Sequence, residues 1–134
     1  TLIDHAKPHC QSNEMYKGVL NDNSRGVFNG KVFVREDAQK TNAYQSNKAI
    51  LLTSTATIDT KPQLEIYADD VKCSHGAAIG QLDDEAVFYL RSRGIGAEHA
   101  KRVLIRDFAN DIFETIENET FNEHLNNLVF EKLG

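Results

Sequence analysis

The residue pattern of this 134-residue chain changes near Gly80, and that change limits the folds open to it. Before Gly80, short apolar or β-branched runs are separated by Asn, Asp, Gly and Ser, which is typical of strands joined by turns. Asn29-Gly30 predicts a tight turn, and Lys61-Pro62 predicts a break in the chain. Strands are expected at 27–28, 31–34, 49–52, 55–58, 64–68 and 71–75. Because no helical segment separates them, an alternating βαβ fold is excluded, and a sandwich, a barrel or a β-solenoid remains.

The last third of the chain has the pattern of helices. Asp83 supplies a capping oxygen at the start of a first helix, and Gly94 suits the left-handed residue that ends it. A second helix is predicted within 96–117, where apolar residues recur at three-and-four spacing. The S/T-x-x-E pattern that begins at Thr120 predicts the start of a third helix.

Composition and charge narrow the class of protein. Apolar residues make up 40% of the chain and charged residues 26%, which indicates a folded globular protein. The formal charge of -5 argues against a nucleic-acid partner. No apolar run approaches the roughly 20 residues of a membrane helix, and residues 1–10 lack the apolar region of a signal peptide, so neither membrane association nor export is expected. The chain begins at Thr1, and we expect it to be a fragment of a longer protein.

The cysteines and histidines raise the question of a metal site. Cys10 and Cys73 belong to no CxxC pair, which predicts free thiols in a cytoplasmic protein. Cys73 and His75 would project to the same face of a strand and could bind iron or zinc together. Alternatively, Cys73 is a small buried residue and His75 is a histidine whose ring nitrogens have hydrogen-bond partners. Spacing alone favours this structural interpretation. A second set, His5, His9 and Cys10, lies in a stretch expected to be an irregular or edge segment, which does not favour a metal site.

Two further observations concern catalysis and partners. A nucleophile elbow, an H-E-x-x-H helix and a P-loop are all absent from the sequence, so we expect no enzyme active site. The first predicted helix and its exit carry residue types that are enriched in the cores of protein interfaces. Packing of the same side chains within their own domain remains the alternative. These candidate partner-binding residues are Phe88, Tyr89, Leu90, Arg91 and Arg93.

Several of these stretches closely resemble the SufB/SufD family of the SUF system for iron-sulfur cluster assembly. The resemblance is carried by KCSHGA (72–77), IGQLD (79–83) and FYLRSRGI (88–95), with QSNK (45–48) and KPQLEI (61–66) upstream. It favours the SufD branch, because SufB-type sequences tend to have His-Glu where this chain has His75-Gly76. They also carry a functional cysteine in the segment that holds Ser46 here.

The resemblance implies a fold and a set of partners. The fold would be the last coils of a right-handed parallel β-helix over residues 1–81, followed by a small α-helical domain over 82–134. SufB and SufD form a heterodimer that works with the ATPase SufC, and nascent clusters are thought to form where SufB meets SufD. His75 matches a proposed cluster ligand, Cys73 matches the neighbouring cysteine, and SufC would dock on the helical domain.

Three functions follow as hypotheses. The first is a scaffold subunit, not an enzyme, that shares a transient iron-sulfur cluster with SufB and holds none tightly when isolated. The second is a purely structural docking subunit in which Cys73 and His75 only pack. The third is an unrelated β-helix protein that acts on carbohydrate. Because an isolated piece of β-helix would expose an unpaired strand edge, we also expect the fragment to self-associate, as a homodimer.

Overall fold

The computed structural model describes residues 1–133, which contain six strands followed by three helices. Every strand pairing is parallel, and the strands form two three-stranded sheets. The first sheet has the order β1-β3-β5 and the second has the order β2-β4-β6, so the chain alternates between the sheets. The strands are β1 (Leu2–His5), β2 (Gln11–Leu20), β3 (Arg25–Val34), β4 (Asn42–Leu51), β5 (Thr57–Ile66) and β6 (Lys72–Gly80).

This alternation makes the strand region β-helix-like, because each strand lies directly over the strand two places earlier. Gln11 on β2 pairs with Asn42 on β4, and Asn42 pairs in turn with Lys72 on β6. We call each pair of strands, one from each sheet, a coil. The corner that precedes the second-sheet strand repeats between coils, with His9 at φ 61° and Lys40 at φ 62°. Neither corner has the Gly or Asn that usually marks this backbone conformation in a sequence.

Two turn predictions are wrong. Asn29-Gly30 lies inside β3, and Lys61-Pro62 lies inside β5, so the short predicted strands on either side of them merge into ten-residue strands. Gly30 and Pro62 are register partners in the first sheet. Pairing along the full strand overrides the local turn signal at Gly30. Pro62 is tolerated because β5 is the outermost strand of its sheet among the described residues. A missing N–H on the open side of such a strand removes no hydrogen bond between strands.

Side chains that point between the sheets form two apolar clusters. The first contains the fully buried Val32 and Val34 and the buried alanines Ala38, Ala43 and Ala68. The second contains Leu20, Ala49 and Ala56. Full burial of a valine side chain contributes about 1.5–3 kcal/mol relative to its exposure, so these clusters hold the sheets together.

A polar section separates the two clusters. Along β4, the inward positions between Ala43 and Ala49 are occupied by Gln45 and Asn47, both buried. Asn47 donates a hydrogen bond from Nδ2 to Thr60 Oγ1 at 2.8 Å, which joins the second sheet to the first. Gln45 donates from Nε2 to Glu14 Oε1 at 3.0 Å, which joins two coils of the second sheet. The interior of the strand region is therefore apolar at both ends and polar in the middle.

The helices are α1 (Asp84–Ser92), α2 (Ala97–Phe113) and α3 (Glu119–Leu133). The predicted start of the first helix is confirmed, because Asp83 Oδ1 accepts hydrogen bonds from the N–H groups of Glu85 and Ala86. The predicted end is also confirmed, because Gly94 adopts φ 87°. Contacts divide the chain into two compact units. We call Thr1–Gly80 the strand unit and the residues from Gln81 onward the helical unit.

The predicted cap of the third helix is wrong by two residues. Thr120 lies inside α3, and the cap is Asn118, whose Oδ1 accepts a hydrogen bond from the Phe121 N–H at 3.0 Å. Asn is as good a capping residue as Thr, so the chain offered two possible starts. Asn122 then donates to the Phe113 carbonyl at 3.0 Å, which ties the first turn of α3 to the end of α2.

Gly30 gives a direct test of the packing in the polar section. We expect Gly30→Ala to lower the free energy of unfolding by about 1–3 kcal/mol, the usual range for an overpacked site. A Cβ at this position would lie 2.6 Å from Gln45 Nε2 and 2.7 Å from Cδ and Oε1, and Gln45 is fully buried. The measurement is urea unfolding followed by far-UV circular dichroism.

Gly18→Ala is the matched control, because its Cβ would make only ordinary contacts, at 3.5 Å to Leu20 Cδ1 and 3.8 Å to Ala49 Cβ. Its free energy of unfolding should stay within about 1 kcal/mol of the original protein. Equal stability of the Gly30 and Gly18 variants would contradict the close packing of Gln45 on Gly30.

Candidate functional site

The predicted metal ligands lie on β6, the outermost strand of the second sheet in the described part of the chain. Cys73 pairs with Ala43 and His75 pairs with Gln45, both of which are inward-facing positions of β4. Because residues i and i+2 of a strand share a face, Cys73 and His75 both lie on the interior side of β6. The structure therefore brings the two predicted ligands together on one face, as the sequence spacing suggested.

Cys73 is partly buried and packs against the first apolar cluster. Burial raises the pKa of its thiol above the usual value, and a hydrogen bond with the backbone of Ala43 opposes that shift only in part. At neutral pH the thiol is therefore protonated, and in this state it behaves as a small apolar side chain with low nucleophilicity. Metal binding at Cys73 would have to release this proton.

His75 has a different environment. It is exposed, although its register partner Gln45 is 0% exposed. The difference arises because β4 is covered by strands on both sides, whereas β6 has a neighbour on one side only among residues 1–133. An exposed imidazole at an open strand edge is accessible to a metal ion or to a partner protein.

The two side chains do not form a complete metal site by themselves. Within residues 1–133, no three His, Cys, Asp or Glu side chains are grouped closely enough to hold a metal ion. Tetrahedral iron or zinc sites use four ligands, so a metal ion at Cys73 and His75 would need ligands from outside this group.

The second set of histidines and a cysteine, which the sequence did not favour as a metal site, includes a histidine with a structural role. His5 ends β1 and is 5% exposed, and a hydrogen bond of 2.9 Å joins its Nε2 and Ser12 Oγ. His5 pairs with Val34, and β1 lies at the edge of the first sheet among the described residues, in agreement with the expectation of an irregular or edge segment. His9 occupies the left-handed corner between the strands.

Sequence reasoning missed a column of polar side chains beside His75. Glu14, Gln45 and His75 occupy register positions on three successive strands of the second sheet. Glu14 and Gln45 lie 31 residues apart in the sequence. A polar residue that recurs about every 31 residues is the signal that could have revealed this column. A second column, of small residues, lies next to it and contains Ser12, Ala43 and Cys73.

The predicted partner-binding residues lie on α1 and just after it. Phe88 is 72% exposed and Tyr89 is 56% exposed, which are high values for large aromatic side chains. Leu90 is partly buried, and Arg91 is exposed in the last turn of the helix. The Arg93 guanidinium carbon lies 5.1 Å from the centre of the Tyr89 ring, a cation–π contact that orders this end of the surface.

An open groove of about 940 Å³ runs along this surface, within the helical unit. Phe88, Tyr89 and Leu90 of α1 and Val103 and Leu104 of α2 supply its apolar part. Its other lining residues include four acidic side chains, Asp83, Asp84, Glu85 and Asp107. Arg91 and Arg93 are not among the residues that line it. We call this feature the α1–α2 groove; it is an apolar depression bordered by negative charge.

No helix within residues 1–133 combines the length and the hydropathy needed to cross a membrane.

Comparison with known proteins identifies relatives of this chain. Residues 1–108 match the family described as SUF system FeS cluster assembly, SufBD core domain. The iron-sulfur cluster assembly protein SufD of Escherichia coli is 45% identical over 93% of this chain. An iron-sulfur cluster assembly SufBD family protein of Synechocystis is 49% identical over 81% of it, and the chloroplastic protein ABCI7 of Arabidopsis thaliana is 41% identical over 96%.

These matches cover only part of the relatives. The chain spans 30% of the length of the Escherichia coli protein, 24% of the Synechocystis protein and 27% of the Arabidopsis protein. The predicted resemblance to the SufB/SufD family is confirmed, since residues 1–108 match that family. This chain belongs to the SufBD family of the SUF iron-sulfur cluster assembly system, within its SufD-type group.

Proposed function

We propose that this chain is part of a SufD-type scaffold subunit, in which the exposed His75 on β6 helps to hold iron or a nascent iron-sulfur cluster. The cluster is cargo shared with a SufB-type partner and is not tightly bound by this chain alone. The observation that carries the proposal is the position of His75 at an open strand edge, beside a cysteine on the same face. Both residue types are good ligands for iron.

In this proposal the strand unit forms the last coils of a right-handed parallel β-helix. Two parallel sheets with alternating connections support that architecture. The outer strands β5 and β6 then offer edges on which a partner strand can pair. A SufB-type subunit at this edge would supply the metal ligands beyond His75, and a second copy of this chain would pair there when SufB is absent.

The helical unit is the proposed docking site for a SufC-type ATPase. The α1–α2 groove supports this assignment, because its exposed aromatic side chains are of the kind that dominate binding energy in interfaces. Its acidic border favours a partner surface that carries apolar side chains flanked by Lys or Arg. On this view the chain positions its partners and cargo in the cytoplasm, and it catalyses no reaction of its own.

A purely structural role is the second candidate, and one observation favours it. Cys73 packs against the apolar cluster with a raised pKa, as a structural cysteine does. The family membership, by contrast, removes the basis for a carbohydrate-acting β-helix.

His75→Ala distinguishes the first two candidates. We expect it to lower the iron and acid-labile sulfide bound by the complex of full-length subunit, SufB and SufC, because it removes an exposed ligand and leaves the core intact. The measurement is anaerobic iron and sulfide analysis of the purified complex, with assembly checked by light scattering. His124→Ala, which changes an exposed histidine on α3, is the control. Unchanged iron and sulfide in the His75 variant would leave only the docking role.

Cys73→Ala should have a smaller effect on cluster content than His75→Ala. Its thiol is protonated and lies against apolar side chains, so its removal mainly affects packing. We expect a loss of stability of about 1 kcal/mol, close to that for one buried methylene-sized group. Thermal unfolding and the same iron analysis measure the two effects, and a loss of cluster as large as that of His75→Ala would make Cys73 an equal ligand.

Phe88→Ala tests the docking surface. Because the side chain is 72% exposed, the folded subunit should keep its stability, while binding to SufC weakens by about 2 kcal/mol if Phe88 is an interface anchor. Isothermal titration calorimetry with the full-length subunit measures this change. Phe121→Ala, which removes a 49% exposed aromatic ring from α3, is the matched control. Equal binding by both variants would place the SufC contact elsewhere.

A further inference from the structure

The side chain of Gln45 is fully buried, yet one of its polar atoms has no partner. Gln45 is 0% exposed, and its Oε1 accepts no hydrogen bond from any described residue. A buried carbonyl oxygen without a donor costs about 1–3 kcal/mol. Native proteins seldom retain such an atom unless it has a further role, so this oxygen needs an explanation.

The orientation of the Gln45 amide is set by its other neighbour. Nε2 donates to Glu14 Oε1 at 3.0 Å. An ionised carboxylate only accepts hydrogen bonds, so the amide nitrogen and not the amide oxygen has to face Glu14. Oε1 is therefore the amide atom left without a partner, and a donor is the group it lacks.

Gly30 leaves room for the amide. A Cβ on Gly30 would lie 2.6 Å from Nε2 and 2.7 Å from Cδ and Oε1, so the amide occupies space that is open only because residue 30 has no side chain. The hydrogen bond to Glu14 holds the amide in this space. The carbonyl oxygen is a buried acceptor inside the strand unit.

His75 is the residue placed to satisfy this acceptor. It is the register partner of Gln45 on β6, and neighbouring strands lie about 4.8 Å apart. An imidazole always has at least one N–H to donate. Its side chain is exposed, so a change of rotamer can bring the ring over Gln45 when a partner or metal covers this edge.

We propose that Gln45 is a positioning residue for His75, with the column Glu14–Gln45–His75 acting as one hydrogen-bonded unit. Gln45 Oε1 accepts the N–H of one imidazole nitrogen, which fixes the tautomer and leaves the lone pair of the other nitrogen for iron. Metal-bound histidines commonly donate their second nitrogen to an oxygen acceptor in this way. The inference rests on the proposed role of His75 as a ligand and adds the group that orients it.

Four variants of the full-length subunit, each assembled with SufB and SufC, test this inference with Co²⁺ alone as the probe. Gln45→Leu keeps the volume of the side chain and removes the acceptor, and Co²⁺ affinity should fall about 10- to 100-fold, as is usual when the partner of a metal-bound histidine is lost. The double variant Glu14→Gln with Gln45→Glu reverses the direction of the hydrogen bond and keeps an acceptor for His75. The double variant should restore the original Co²⁺ affinity. Gln45→Leu should not, although leucine has a volume similar to that of glutamine.

Asn47→Leu is the control for the loss of a buried amide. Asn47 is 3% exposed and bonded to Thr60, so its removal disturbs the same polar section without touching Gln45. It should leave Co²⁺ affinity unchanged at a similar cost in thermal stability. Original affinity in Gln45→Leu, or equal losses in the Gln45→Leu and Asn47→Leu variants, would overturn the positioning role.

His75→Ala separates this inference from the function on which it rests. If His75→Ala loses Co²⁺ binding while Gln45→Leu keeps it, His75 is a ligand and Gln45 does not position it. If His75→Ala binds Co²⁺ like the original protein, the ligand role fails and the positioning role fails with it.

Discussion

The in-register parallel pairing between successive coils is the constraint on which the rest of the strand unit depends. It places Glu14, Gln45 and His75 in one column and Ser12, Ala43 and Cys73 in the next. A shift of one residue would turn every inward side chain of a strand to the opposite face. The apolar clusters on either side of the polar section fix the register, because Val32, Val34 and Ala49 are buried only in this alignment.

This register gives Cys73 and His75 different roles, although they share a face. Cys73 continues a column of small residues that ends in the apolar cluster, so its thiol is protonated and packed. His75 continues a polar column whose other members are a carboxylate and a buried amide that are hydrogen-bonded to each other. On the same strand edge, the Cys73 side chain is therefore packed, whereas the His75 side chain is accessible to a ligand. The scaffold role proposed for this chain would need both properties, a stable support and an accessible donor atom.

Local signals predicted the helical unit well and the strand unit only in part. Asp83 and Gly94 mark the ends of α1 because capping depends on a few neighbouring residues. The turn predictions at Asn29-Gly30 and Lys61-Pro62 were wrong, because strand pairing over ten residues outweighs a two-residue turn preference. The face shared by Cys73 and His75 followed from strand geometry alone. The neighbours of His75 did not, because Gln45 and Glu14 are remote in sequence and share only their polarity with it.

The central claim is that the His75 imidazole binds the cluster directly, and electron spin-echo spectroscopy of the reduced, cluster-loaded complex tests it most directly. With ¹⁵N-histidine incorporated only into this subunit, the account predicts a nitrogen hyperfine coupling of a directly bound imidazole, lost in His75→Ala. A cluster whose spectrum shows no coupling to the labelled histidine would contradict the claim, and it would leave this chain as a docking partner for SufB and SufC.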